Sequence, residues 1–235
     1  MLSVVCFKWK RNKRGFSLPA AIVEYSALYV NRLRNMVWRN LRIPHRFICV
    51  TDDPGGVDPR IEIVPLWDKC LNIGGCFNRL YTFSPDMEAL FGPRFVCIDL
   101  DCVIVGDVTP LFTRTEDFII NSYKPVAGKN WHPQKYNGAL YMMTAGARRQ
   151  VWDTFDPELS PKIILENTAK VVGSDQAWVG LTLESEVTWT EADGVYEIRQ
   201  LPSKADLPAN AKIICFAGPR DPALENARWV KDLWK

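Results

Sequence analysis

The chain has 235 residues, 47% of them hydrophobic and 24% charged, a balance that supplies a sizeable buried core and is far from that of a disordered chain. A formal net charge of +2 is too small to imply, by itself, a nucleic-acid or anionic-membrane partner. No apolar run approaches the roughly 18 residues of a membrane span, so no transmembrane segment is expected.

Residues 2–7 (LSVVCF) are a continuous apolar run with β-branched members, the pattern of a buried parallel strand. Basic residues follow that run, the reverse of the order in a secretory leader. Ile22, Leu28, Tyr29, Leu33, Met36, Val37 and Leu41 recur at helical spacing and predict one long amphipathic helix, with Trp38 falling in it as a packing residue. Residues 46–51 predict a second strand, 52–56 (DDPGG) a turn, 61–65 a short strand and 78–90 a helix. Residues 94–105 (RFVCIDLDCVIV) read as an apolar strand interrupted by two acids. Beyond them, 138–143 predict a strand, 145–155 a helix carrying Trp152, 176–183 a helix start and 212–216 a late strand. Alternating strands and helices imply an α/β fold whose ligands bind beyond the carboxyl ends of its parallel strands. The Pro-rich stretch 201–208 reads as a surface loop, so residues 1–235 are expected to form one domain. Seven cysteines without CxxC spacing read as buried free thiols of a reducing compartment, and a cytoplasmic location is expected.

Asp99 and Asp101 carry the chemistry. Two apart on a predicted strand, their carboxylates project to one side among Phe95, Val96, Ile98, Val103 and Ile104. Unpaired carboxylates are expensive to bury, and an oxygen-liganded divalent cation is the usual compensation; Mn2+ or Mg2+ suits such ligands. The plain alternative is a pair of solvated acids at a strand-to-turn junction.

Residues 95–107 (FVCIDLDCVIVGD), with VTPLF at 108–112, resemble the metal-binding strand of retaining GT-A glycosyltransferases of the glycogenin and lipopolysaccharide galactosyltransferase group. Four further segments resemble that group in order: Asn78-Arg79-Leu80, Tyr136-Asn137-Gly138-Ala139, Ser174-Asp175-Gln176 and the stretch 214–219 (ICFAGP). The resemblance implies a single GT-A (Rossmann-like) domain with a mostly parallel central sheet flanked by helices. It also implies metal-dependent transfer of a sugar from a nucleotide-diphosphate donor, a UDP-hexose first of all, to an acceptor hydroxyl with retention of configuration.

By that resemblance Asp99 and Asp101 bind the metal, Mn2+ or Mg2+, and one of them touches the donor ribose. Thr51 and Asp52 contact the nucleoside; Arg79, Asn137 and Asp175 contact the donor sugar or diphosphate; Gln176 lies near the anomeric carbon. Asp175 and Gln176 are then the catalytic candidates, and Lys8, Gly138 and Gly218 join the substrate-binding set. An oxocarbenium-like transition state with a departing diphosphate needs positive charge at the leaving group and a held acceptor hydroxyl.

The sequence departs from the group at its end. The group's C-terminal motif supplies a histidine to the metal, where this chain has Cys215 and Ala217, and its histidines are His45 and His132. Cys215 suits a hard cation poorly and reads as a buried strand thiol; water or His132 remains for the metal. Arg220 stands near the place of the group's diphosphate-binding lysine.

Two other readings stay open. Residues 98–103 also fit the nucleophile strand of haloacid-dehalogenase-like phosphatases, with Asp99 phosphorylated and Asp101 as acid/base, although that motif normally lies on the first strand. The missing histidine also suits a non-catalytic nucleotide-binding member. Finally, Lys8, Lys10, Arg11, Lys13 and Arg14, bracketed by Trp9 and Phe16, suggest an anionic acceptor such as nucleic acid or a phosphorylated glycan.

Overall fold

The computed structural model describes residues 1–9, 25–71, 73–123, 135–168, 174–203, 205–216 and 220–235. Its strands are β1 (Leu2–Lys8), β2 (His45–Thr51), β3 (Glu62–Pro65), β4 (Arg94–Ile98), β5 (Val103–Ile104), β6 (Phe118–Ser122), β7 (Tyr136–Thr144), β8 (Thr188–Trp189), β9 (Val195–Glu197) and β10 (Ile213–Cys215). The helices are α1 (Ala27–Asn40), α2 (Met87–Phe91), α3 (Thr109–Phe112), α4 (Gln150–Asp153), α5 (Ser160–Thr168), α6 (Asp175–Thr182) and α7 (Arg228–Leu233), with a longer 3-10 segment at Phe77–Phe83.

The central sheet has the order β3-β2-β1-β4-β7-β6-β8. Strands β3, β2, β1 and β4 are mutually parallel, and β6 is parallel to β8. β7 runs antiparallel to both β4 and β6. Side chains of β1 alternate between faces, as a pleated strand requires. Val4 and Cys6 join the core with Val30, Leu33, Met36 and Val37 of α1. Val5 and Phe7 join the opposite core with Phe77, Leu80 and Phe83 of the 3-10 segment. Both faces of β1 are thus covered, which explains its unbroken apolar run.

Three sequence expectations need correction. The helix expected over 78–90 is a 3-10 segment followed by the short α2; Pro85 forces Ser84 into an extended conformation (ψ 140°), so no helix passes through. The helix expected over 145–155 shrinks to α4, because Gly146 has φ +75°, a left-handed turn no helix continues through. The strand expected over 94–105 stops at Ile98, and Asp99 to Cys102 form a turn closed by Cys102 N–H donating to the Asp99 carbonyl at 3.1 Å. β5, beyond the turn, enters a second sheet of order β5-β10-β9.

α1 also differs in its surface. Its buried side is Tyr29, Val30, Leu33, Met36 and Val37. Leu28 is exposed, and Trp38, expected as a packing residue, is 65% exposed with the Arg34 guanidinium 5.0 Å from its ring centre. One residue past Val37 turns a side chain by about 100° around a helix, enough to leave the apolar stripe. Ile22 lies outside the described residues. The cysteines are free thiols, all buried except the part-buried Cys76. Among the described residues no helix is long and apolar enough to cross a membrane.

Candidate active site

The parallel strands β1, β2 and β4 end at Lys8, Thr51 and Ile98, on one edge of the sheet. Because β7 runs the other way, its beginning comes to that same edge: Leu140 pairs with Ile98, which sets Asn137 and Gly138 beside the Asp99 turn. Asp99 N–H donates to the Ala139 carbonyl at 2.8 Å and fastens the turn to β7.

Arg79, from the 3-10 segment, is the centre of the site. Its Nε donates to Asp175 Oδ2 at 2.8 Å, Nη2 lies 2.7 Å from the same oxygen, and Nη1 is ion-paired with Asp99 Oδ1. Side-chain exposures are 10% for Arg79, 8% for Asp175 and 32% for Asp99, so the Arg79–Asp175 pair is the buried part of the triad. Burial works against the guanidinium's charge, but Asp175 and Asp99 outweigh it and hold the Arg79 pKa above its ordinary value. Asp175 begins α6, and its neighbour Gln176 accepts from Gly138 N–H through Oε1 at 3.1 Å. Gly138 makes this approach possible: a Cβ there would lie 3.2 Å from Arg79 Nη2 and 3.3 Å from Gln176 Cβ.

Asn137 is buried, its Oδ1 accepting from Ala139 N–H at 2.9 Å and its Nδ2 donating to Glu197 Oε1 at 2.8 Å. Glu197 is itself buried and paired with Arg199 at 2.6 Å. Glu197 and Arg199 extend the site beyond the residues expected from sequence, where nothing but their charge marks them.

Asp101 is 8% exposed. Its Oδ2 accepts from Tyr25 Oη at 2.7 Å, while Oδ1 is fully buried without a hydrogen-bond partner among the described residues. Burial, then the charge of Asp99, pushes the Asp101 carboxyl up to about 7, opposed by the Tyr25 hydrogen bond. Four residues on, Tyr29 packs against Tyr25 with the rings tilted at 53° and their centres 4.9 Å apart, and it donates its hydroxyl to Asp221 at 2.8 Å. Tyr25 and Asp221 are also additions to the sequence reading. The signal for Tyr25, a tyrosine four residues before the helical Tyr29, is indistinguishable in sequence from core packing.

At the end of β2, Thr51 is buried and its hydroxyl bonds the Asp53 backbone at both N–H and carbonyl, 3.0 Å each, while Asp52 is exposed. Lys8 is buried, with Nζ 2.6 Å from the Asp53 carbonyl and 3.0 Å from its Oδ2. Its ammonium therefore closes the 51–53 turn. Arg220 is part-buried at the start of the C-terminal segment. Gly218, Ala217, His132, Lys10, Arg11, Lys13, Arg14 and Phe16 lie outside the described residues. Trp9 packs edge-on to Phe7 at 5.5 Å. His45 opens β2, at the far end of that strand from Thr51, with Nδ1 2.8 Å from the Ile43 carbonyl.

Cys215 Sγ is buried 3.5 Å from Cys102 Sγ and 3.8 Å from Asn121 Nδ2. A thiol so enclosed by soft and neutral groups is a packing residue. Cys215→Ser is expected to leave Mn2+ affinity unchanged in a calorimetric titration. A clear drop in a still-folded variant would make the sulfur a ligand.

By sequence, the chain matches no protein-family model and no curated protein. By structure it matches galactosyltransferase LgtC in complex with donor and acceptor sugar analogues, at TM-score 0.58 and 11% identity over 98% of this chain and 96% of that one. An active-site mutant of LgtC matches at TM-score 0.61 and 11% identity, over 96% and 91%. Glycosyltransferase GlyE of Streptococcus pneumoniae matches at 0.60 and 12% identity, over 100% of this chain and 60% of that one. The chain has the GT-A glycosyltransferase fold. In this GT-A fold the two acids follow the fourth strand, β4, and not the first, where the phosphatase reading needs them.

Asp99 and Asp101 are the two acids expected from the sequence to hold a divalent cation. Asp101 Oδ1 is a buried hard oxygen with nothing to compensate it among the described residues, and Asp99 lies two residues away on the same turn. Among the described residues no third His, Cys, Asp or Glu completes a cluster with them. Diphosphate oxygens and water are the ordinary remaining ligands of such an ion.

Proposed function

We propose that the protein is a metal-dependent hexosyltransferase that moves a sugar from a nucleotide-diphosphate donor, first of all a UDP-hexose, to an acceptor hydroxyl with retention of configuration. The observation that carries this reading is the convergence of Arg79, Asp99, Asn137, Gly138, Asp175 and Gln176 at the carboxyl edge of a GT-A sheet, beside the uncompensated oxygen of Asp101. Asp99 and Asp101 would hold Mn2+ or Mg2+, which supplies positive charge to the departing diphosphate when bound. Arg79 fixes Asp175, so that a carboxylate of defined orientation faces the donor sugar. Gln176, anchored on Gly138 N–H, lies beside Asp175 for the anomeric centre. Arg220 is assigned to the diphosphate as a permanent cation. Thr51 and Asp52, at the end of β2, are assigned to the nucleoside. Lys8 acts on that turn through Asp53, and Gly218 completes the assigned set. The acceptor class we assign is anionic, a phosphorylated glycan or nucleic acid, from the basic residues that follow β1.

The test is a panel of nucleotide sugars incubated with Mn2+ or Mg2+, with release of nucleoside diphosphate measured. Hydrolysis of a UDP-hexose, absent with chelator, is expected. Phosphate release from an aryl phosphate with no nucleotide-sugar turnover would sink the reading in favour of the phosphatase. Mn2+-linked UDP binding without any turnover would replace it with the non-catalytic one.

A further inference from the structure

We infer that Tyr25 is a positioning residue for the cation: its hydroxyl holds Asp101 Oδ2 and thereby presents Oδ1, alone, as the ligating oxygen. The inference rests on the proposed role of Asp101 and goes beyond it to a residue that acts through Asp101.

Three acids lie near this corner, and their partners set them apart. Asp221 has both oxygens engaged by the Tyr29 hydroxyl, at 2.8 and 2.9 Å, and Oδ1 also accepts from Ala223 N–H at 2.7 Å. That set of donors leaves it a structural acid. Asp99 has Oδ1 against the Arg79 guanidinium, a full positive charge. Asp101 has a neutral donor on one oxygen and no hydrogen-bond partner on the other among the described residues, although it is nearly inaccessible to water. A phenol orients a carboxylate without cancelling its charge, whereas a guanidinium orients and neutralises it. Of the three, Asp101 is therefore the acid with no positive charge already bonded to it among the described residues, and it joins Asp99 as a ligand whose charge is left for a cation. Partners beyond the ligands fix a ligand's orientation in just this way, and their loss weakens metal affinity by about 10–100-fold.

Tyr25 is itself held. Its ring lies 4.9 Å from that of Tyr29, and Tyr29 packs edge-on to Trp234 at 5.1 Å. The Arg32 guanidinium lies 4.0 Å from the centre of the Trp234 ring. The start of α1 thus rests on the C-terminal residues, so that the cation site and the C-terminal residues are tied together by Tyr25, just before α1, and Tyr29, in its first turn.

The test is calorimetric titration of Mn2+ in the presence of UDP for wild type, Tyr25→Phe, Tyr29→Phe and Asp101→Ala, with metal-free melting temperatures measured alongside. Tyr25→Phe is expected to bind Mn2+ at least about tenfold more weakly, with its melting temperature and metal-free UDP affinity held. Tyr29→Phe, which loses a hydroxyl of the same ring pair, is expected to keep Mn2+ affinity. In wild-type protein, Mg2+ should also shift the 13Cζ NMR signal of Tyr25, and should not in Asp101→Ala; this arm does not depend on whether Tyr25→Phe folds. If Asp101→Ala loses Mn2+ binding while Tyr25→Phe keeps it and the Tyr25 signal stays still, the positioning role is overturned and the cation assignment survives. Should Asp101→Ala bind Mn2+ as wild type does, both fall together.

Discussion

Replacing Arg79 by methionine is expected to destabilise the protein by about 3–5 kcal/mol, the range for removing one partner of a buried ion pair and stranding the other. The loss falls mainly on Asp175, 8% exposed and bonded by two nitrogens of the guanidinium; Asp99, 32% exposed, regains water more readily. Arg79→Lys keeps the charge but not the fork that reaches two carboxylates, so an intermediate loss is expected. Adding Asp175→Asn to Arg79→Met should recover part of the stability, because the stranded charge is then gone. Urea melts of the three variants and wild type measure this. If Arg79→Met melted within about 1 kcal/mol of wild type, as surface ion pairs do, the triad would not be the anchor of the site. Donor hydrolysis should fall in Arg79→Met even where the fold persists, since Asp175 loses its orientation.

The sequence made the alternating half of the molecule legible because both faces of β1, β2 and β4 are covered, and unbroken apolar runs betray that burial. It could not give strand direction. The apolar pattern of β7 is the same whether it runs with β4 or against it, and only the antiparallel arrangement puts Asn137 and Gly138 beside the Asp99 turn. The acids of 99–101 were visible, but not that they form a turn: apolar residues on both sides suit one strand as well as two short strands in different sheets. Least legible were the partners that decide each acid's role. Tyr25 lies 76 residues from Asp101, Arg79 lies 96 from Asp175, and Asn137 lies 60 from Glu197. Periodicity assigns a tyrosine at a helix start to packing, and Tyr29 does pack; what its hydroxyl and that of Tyr25 bond to is set by tertiary proximity.

Gly138→Val is expected to lower turnover by about a hundredfold, the scale on which a displacement of roughly 1 Å of reacting groups acts. A Cβ at this position would lie 3.2 Å from Arg79 Nη2, 3.3 Å from Gln176 Cβ and 3.6 Å from Asp175 Oδ2. Alanine therefore asks its neighbours for a few tenths of an ångström, and the two further methyls of valine ask for more from groups that are already bonded. Arg79 has little freedom to yield, because moving its guanidinium stretches contacts to two carboxylates at once. Gln176 Cβ is fixed by the backbone of α6, so it yields only if the helix shifts, which strains the bond from Gly138 N–H to Gln176 Oε1. Overpacking of this kind costs about 1–3 kcal/mol of stability, so the protein should remain folded at room temperature and the effect on turnover should be measurable separately. The informative comparison is kcat against KM for donor hydrolysis in Gly138→Ala and Gly138→Val. A graded fall in kcat with near-constant KM is expected if Asp175 and Gln176 act on the transition state. Normal kcat in Gly138→Val would remove Gln176 and Asp175 from the chemistry, since a site that tolerates their displacement does not depend on their placement.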